Sequence, residues 1–103
     1  MAGYDEFWLH YLRAHGRAPT RVLHYIGSVL AIVALALAAV DWRWLIVAPL
    51  IGYGFAWTAH VAIEHNRPQT FGHPLWSLFS DYRMLLLALT CRLTPHLRRA
   101  GLR

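Results

Sequence analysis

Two ionisable residues in an apolar stretch have the spacing of a shared metal site. His60 and Glu64 lie four residues apart, which places them on one face of a helix, one turn apart. His24 lies near the start of an earlier apolar stretch, and His15 precedes that stretch. Imidazole and carboxylate together suit iron, zinc or manganese, and two or three histidines with one carboxylate commonly hold oxygen-activating ferrous iron. Ionisable groups at membrane depth are costly unless paired or coordinated, so Glu64 and the two histidines near the span ends are candidate ligands.

The composition indicates a chain surrounded by lipid. Of the 103 residues, 57% are hydrophobic, and the mean hydropathy is +0.34, so we expect one domain, more apolar than an ordinary soluble domain. The basic residues are all arginines, and they give a formal charge of +5. Because they flank apolar segments without interleaving with aromatic residues, they predict contact with anionic lipid headgroups and no nucleic-acid binding. The single Cys91 excludes an intrachain disulfide and a cysteine-based zinc module.

Two apolar segments are long enough to cross a bilayer. Residues 22–40 and 44–63 contain no Asp, Glu, Lys or Arg, and roughly 20 helical residues cover the ~30 Å hydrocarbon core. The short connection between them predicts an antiparallel transmembrane helical hairpin, with span 1 at 19–40 and span 2 at 43–65. Arginines gather before and after the hairpin, whereas its tip holds only Arg43. The positive-inside rule therefore places both termini in the cytoplasm.

The rest of the chain predicts two helices outside the spans. Residues 4–15 carry aromatic and apolar side chains at three-four spacing, as in an amphipathic helix that lies on the membrane surface or packs on the hairpin. A turn-rich loop, 66–73, leads to a last helix, 74–93, which is interfacial or re-entrant because an acid and a base interrupt its middle. Residues 94–103 form a basic tail, expected to be loosely ordered. The predicted fold is an all-α integral membrane protein.

The hairpin brings the candidate ligands to one end of the molecule. Antiparallel pairing about the tip sets His24 level with His60 and Glu64 close to Thr20 and Arg21. His15 ends the first helix at the same depth. We therefore predict that the three histidines and Glu64 converge at the cytoplasmic end of the hairpin.

Each candidate also has an interpretation without a metal. A histidine at a span end is commonly an interfacial side chain that hydrogen-bonds a carbonyl or water, and Glu64 can pair with Arg21 or Arg67. Both arginines flank the predicted site and can hold a substrate carboxylate, or else contact lipid phosphates. Asp81 can accept a hydrogen bond from a ligand histidine, or form an ion pair with Arg83 or Arg67.

Two stretches resemble the short bacterial members of the family once called domain of unknown function 962: FWLHYLRAHGRAPTRVLHYIGS and GYGFAWTAHVAIEHNRPQTFGHPLWSLFSDYRM. The resemblance covers residues 6–84, and the characterised fungal relatives are iron-dependent dioxygenases of 2-hydroxy fatty acids. It implies that the positions of His15, His24, His60 and Glu64 bind ferrous iron. It also implies dioxygen and a 2-hydroxy fatty acid as substrates, α-oxidation that shortens the chain by one carbon, and a bacterial inner membrane location. The fungal enzymes are longer, so a homo-oligomer is expected to enclose the substrate.

Two rival functions remain open. Two level histidines on facing helices can supply the axial ligands of a b-type haem. Alternatively, the chain is a non-catalytic membrane scaffold whose histidines only reach the interface.

Overall fold

The computed structural model describes residues 3–67 and 72–102, which are helical without any strand. The predicted loop 66–73 lies partly outside the described residues. The helix Trp44–Ala59 continues directly into a π-helical turn, His60–Glu64. The elements are α1 (Tyr4–Ala14), α2 (Ala18–Leu37), α3 (Trp44–Ala59), the π-helical turn (His60–Glu64), α4 (Pro74–Leu89) and α5 (Leu93–Arg99).

Two helices are long and apolar enough to cross a membrane. They are Ala18–Leu37 and Trp44–Glu64, of which 33% and 22% are buried inside the protein. Large apolar side chains point outward, such as Val33, which is 49% exposed, and Leu50, which is 68% exposed. The core helix of a soluble protein buries most of its apolar surface, so this exposure favours lipid as the surrounding medium.

Helices α2 and α3 pack closely along a face of small residues. A Cβ atom added to Gly27 would lie 2.7 Å from Cβ of Phe55, and one added to Gly52 would lie 3.7 Å from Cβ of Ala31. Along these contacts the residue numbers rise on α2 as they fall on α3. Of these two contacts the one at Gly27 is the closer, and Gly27 lies about one turn from His24.

Gly27→Ala is expected to destabilise the protein by roughly 1–3 kcal/mol, because the methyl group must push α2 away from the backbone-anchored Cβ of Phe55. The matched control is Gly54→Ala on α3, where no atom lies within 4 Å of an added Cβ. There the better helix propensity of alanine should leave stability unchanged or raise it by up to about 1 kcal/mol. Thermal unfolding in detergent, followed by circular dichroism, measures both variants. Equal midpoints would contradict the close approach.

The aromatic stripe of α1 packs inside the protein. Phe7, Trp8, Tyr11 and Leu12 are fully buried, in a core that includes Met84 of α4. Of the two predicted positions for this helix, on the membrane surface or packed on other helices, the structure shows the packed one. This core holds α1 against α4 and α5. It therefore determines the position of the end of α1, where the chain turns into α2.

The carboxyl-terminal segment differs from the predicted loose tail. Helix α4 ends at Leu89, and a turn with Cys91 at a φ of 59° leads into α5. Leu93 and Leu97 of α5 are buried in the core around α1, and the indole N–H of Trp8 donates to Nδ1 of His96 at 3.1 Å. Apolar residues at four-residue spacing order this segment, although its arginines make it basic.

Candidate metal centre

Three histidines from three elements form one buried group. His15, His24 and His60 are only 1%, 4% and 2% exposed, and each offers a ligand atom within 4.8 Å of the others. The Nε2 atoms of His15 and His24 are 2.9 Å apart. The ring centres lie between 4.3 and 5.1 Å from one another. The structure thus brings together the three histidines that were predicted to converge.

The corner between α1 and α2 holds His15 in place. His15 follows the last residue of α1, and one guanidinium nitrogen of Arg21, Nη1, donates to the carbonyls of His15 at 2.8 Å and Gly16 at 3.1 Å. These carbonyls at the end of α1 have no partner within that helix, so the arginine caps them. Arg21 therefore lies beside the group. Arg67 is exposed and follows the π-helical turn, and its role as a carboxylate-binding residue stays a prediction.

Two of the histidines have their second ring nitrogen bound to the backbone. Nδ1 of His15 lies 2.6 Å from the carbonyl oxygen of Tyr11, and Nδ1 of His24 lies 3.1 Å from that of Thr20. A carbonyl oxygen only accepts, so each Nδ1 carries the proton and donates it. Each Nε2 is then left with a lone pair that points into the group.

The side chain of Asn66 accepts the Nδ1 proton of His60, as the backbone carbonyls do for the other two histidines. Asn66 was not among the predicted site residues. Its Oδ1 lies 2.6 Å from Nδ1 of His60, and its Nδ2 donates to the carbonyl of Ala14 at 3.0 Å, which fixes the orientation of the amide. The reach from residue 66 back to His60 depends on the π-helical turn and on His65, whose φ of 57° is left-handed. An amide in a turn-rich loop gives no sequence signal of this contact.

The donor set fits a metal cation. Two nitrogen lone pairs 2.9 Å apart repel each other unless a cation lies between them, and metal ligands about 2.1 Å from an ion and at right angles are about 3.0 Å apart. Burial lowers the pKa of His15, and the neighbouring imidazoles lower it further, so this ring stays neutral and available as a ligand. Metal-binding histidines characteristically donate their other ring N–H to an oxygen, as all three do here.

Glu64 lies at the amino end of α2. Its Oε2 accepts a hydrogen bond from the backbone N–H of Arg17 at 2.7 Å and from the hydroxyl of Thr20 at 2.6 Å. A carboxylate there satisfies an N–H that has no partner within the helix and complements the helix dipole. In the π-helical turn, with its i to i+5 hydrogen bonding, residue i+4 no longer lies directly above residue i. Glu64 is not part of the group of three, and its role as a fourth ligand stays a prediction.

Asp81 supports the group through Tyr11. The hydroxyl of Tyr11 donates to Oδ1 of Asp81, and the centre of the Tyr11 ring lies 4.1 Å from that of His15. The connection from Asp81 to His15 is therefore indirect, whereas a direct hydrogen bond to a ligand histidine was one of the two interpretations that the sequence left open. Burial raises the pKa of Asp81 to about 7, although the hydrogen bond from Tyr11 opposes this shift.

Asp81→Asn is expected to change how stability depends on pH. The pKa of Asp81 is raised from its ordinary value of 3.8, so its contribution to stability is fully present below that value and is lost as pH rises through about 7. The asparagine oxygen still accepts from Tyr11 and does not ionise, so the stability of the variant relative to the wild type should rise between about pH 4 and about pH 7 and stay constant above that. Unfolding midpoints across this range measure the difference. A difference that is constant with pH would contradict the raised pKa.

One comparison with known proteins gives a match. A family model described as 2-hydroxy-palmitic acid dioxygenase Mpo1-like matches residues 1–93. No curated protein and no solved structure matches the chain. The matched residues include both apolar helices, the three histidines and the residues that hold their Nδ1 atoms. The chain therefore belongs to the 2-hydroxy-palmitic acid dioxygenase Mpo1-like family.

Proposed function

We propose that this chain is an iron-dependent dioxygenase that acts on 2-hydroxy fatty acids and releases an acid one carbon shorter. The observation that carries the proposal is the buried group of His15, His24 and His60, whose Nε2 lone pairs converge. The description of the family supports the substrate class. Three neutral imidazoles also suit zinc or manganese, and dioxygen chemistry is the reason for proposing iron.

The three histidines would hold the ion and leave further positions open for substrate and dioxygen. Bound there, iron would supply the activation of dioxygen. One 2-hydroxy acid and one dioxygen yield the shortened acid, carbon dioxide and water, so every electron that dioxygen accepts comes from the substrate. Arg21, beside the group, or Arg67 would offset the charge of the substrate carboxylate, and Glu64 is the remaining catalytic candidate.

The proposal places the site at the lipid–water interface. We take α2 and α3 as a transmembrane hairpin in a bacterial inner membrane, with both termini on the cytoplasmic side, because arginines flank the hairpin and only Arg43 lies at its tip. The histidine group lies at the end of the hairpin away from Arg43. A fatty acid can thus keep its polar head at headgroup level and its tail among the apolar helices. A homo-oligomer that completes the enclosure stays a prediction.

The direct test is a product assay. Purified protein loaded with ferrous iron should consume oxygen with 2-hydroxypalmitate and yield pentadecanoate. Palmitate, which lacks the 2-hydroxyl group, is the control substrate and should give no product. If iron is verified in the site and 2-hydroxypalmitate still gives no product, the proposed activity is wrong.

Haem binding is the alternative that the histidine group also allows. The Nε2 separation of 2.9 Å between His15 and His24 favours a bare ion, because axial ligands on opposite faces of a haem iron stand about 4 Å apart. An absorption spectrum decides between them. An intense Soret band in the purified protein would favour haem over the proposed site.

A further inference from the structure

A cavity of about 200 Å³ begins beside His24 and runs between α2, α3 and α4. For comparison, an apolar cavity of about 150 Å³ binds benzene. The lining residues of α2 are His24, Ser28, Ala31 and Leu35, which follow a three-four spacing and so lie on one face of the helix. Eleven residues at 1.5 Å per residue span roughly 16 Å. The cavity is therefore a groove that follows the helix axis away from the histidine group.

The groove changes character along its length. Near His24 it is lined by the polar side chains of Ser28 and Asp81, whereas at the other end it is lined by Leu35 and Ala48. A polar end beside the metal ligands and an apolar end deep in the hairpin match an amphiphile whose reacting head carries oxygen atoms and whose tail is a hydrocarbon chain.

Small residues create the space in the middle of the groove. Ala31 on α2 and Gly52 on α3 face each other, so that a Cβ atom added to Gly52 would lie 3.7 Å from that of Ala31. Ala31 and Ala48 are almost completely buried, at 6% and 3% exposed. A larger side chain at either position would occupy the groove itself, because each residue lines the cavity.

We propose that this groove binds the acyl chain of the substrate and that Ala31 and Ala48 determine how long a chain the protein accepts. The inference rests on the proposed function, which places the reacting head at the histidine group. An extended chain advances about 1.3 Å per methylene, given C–C bonds of about 1.5 Å, so the ~16 Å groove holds roughly twelve carbons. Ala31 lies about 10 Å along it, level with roughly the eighth carbon.

The test substitutes Ala31→Leu and compares it with Ala36→Leu, a control on the exposed face of the same helix. With iron-loaded protein, Ala31→Leu should lower the rate with 2-hydroxypalmitate relative to 2-hydroxyhexanoate, which ends before Ala31, by about tenfold or more, the usual effect of blocking part of a hydrophobic pocket. Ala36→Leu should keep the wild-type ratio. Iron content, measured by elemental analysis, should be the same in all three proteins.

A second measurement separates the groove from the chemistry. Palmitate binding is followed by displacement of a fluorescent fatty acid, with 2-hydroxyhexanoate as the short competitor. The groove predicts that Ala31→Leu weakens palmitate binding about tenfold and leaves the short competitor unchanged. If the wild type oxidises no 2-hydroxy acid but shows this binding pattern, the proposed function fails and the groove stands. If the wild type is active and Ala31→Leu keeps both its rate ratio and its palmitate affinity, the groove is overturned.

Ala48→Leu makes the same test from the opposite wall. It should discriminate against the longest chains in the same two assays, and an unchanged preference would equally overturn the proposal. This variant keeps the inference falsifiable if Ala31→Leu does not yield folded protein. Folding is checked by the unfolding midpoint of each variant, since overpacking typically costs about 1–3 kcal/mol.

Discussion

Replacing His24 and His60 together with alanine is expected to abolish metal binding and, with it, oxygen consumption. The two changes remove two of three converging Nε2 ligands and leave His15 alone, and a single imidazole holds no ion through purification. Loss of one residue that merely orients a ligand lowers affinity about 10–100-fold, so the loss of two ligands should exceed that range. Elemental analysis after gentle purification should show near-stoichiometric metal in the wild type and background metal in the double variant.

The control for this experiment is His10→Ala, which removes an exposed histidine from α1 and should leave the metal content unchanged. Because the double variant also empties two buried positions, circular dichroism should compare it with chelator-treated wild type, the metal-free reference of the same fold. Near-stoichiometric metal in the double variant would mean that the ion lies elsewhere. Background metal in the wild type would instead favour the scaffold interpretation.

The convergence of the histidines could be predicted because hairpin pairing is simple geometry. A short connection between two long apolar segments sets residues at equal distance from the tip level with each other, and this placed His24 beside His60. The position of His15 could be predicted because the first helix must end near Gly16, which places His15 at the same depth as the other two histidines. The structure has these three side chains in one group, with the rings of His24 and His60 centred 5.1 Å apart.

Hairpin pairing also placed Glu64 near Thr20, and in the structure the hydroxyl of Thr20 donates to Oε2 of Glu64. That Glu64 is not part of the group of three histidines could not be predicted in the same way. The spacing from His60 to Glu64 was interpreted with the period of an α-helix, which puts both side chains on one face. The helix changes to π geometry at His60, and no residue type in HVAIE distinguishes the two forms. In this geometry the carboxylate accepts hydrogen bonds at the start of α2, from Arg17 and Thr20, and is not part of the group of three histidines. Asn66 was overlooked for the same reason, because its reach to His60 exists only with that turn.

The packing of α1 could be predicted only as a choice between two surroundings. Its aromatic stripe suits both a membrane surface and a protein core, because either one removes the aromatic side chains from water. The partner of α1 decides between the two, and its partner α5 lies in a segment that the sequence indicated only as a basic tail. Leu93 and Leu97 at four-residue spacing were the available signal.

Glu64→Ala and Glu64→Gln are expected to separate the two roles of this carboxylate. In the structure it accepts hydrogen bonds from the backbone of Arg17 and the hydroxyl of Thr20, and hydrogen bonds to a charged group contribute roughly 1.5–3 kcal/mol. Glu64→Ala should therefore lower the stability of the metal-free protein by about 2 kcal/mol, close to the cost of losing a helix cap. Glu64→Gln keeps an acceptor oxygen and should lose less.

The unfolding midpoint of the metal-free protein and the metal content report on the two roles separately. Capping of α2 by Glu64 affects the midpoint, whereas coordination by Glu64 affects only the metal content. Thr20→Val is the matched variant: it removes the hydroxyl donor, keeps the branched shape, and retains the backbone carbonyl that holds Nδ1 of His24. If Glu64 serves the start of α2 alone, Thr20→Val and Glu64→Gln should both lower the unfolding midpoint modestly and keep the wild-type metal content. Loss of metal from Glu64→Gln, with the midpoint of the metal-free protein unchanged, would make Glu64 the fourth ligand. Its hydrogen bonds to α2 would then be the arrangement of the metal-free state.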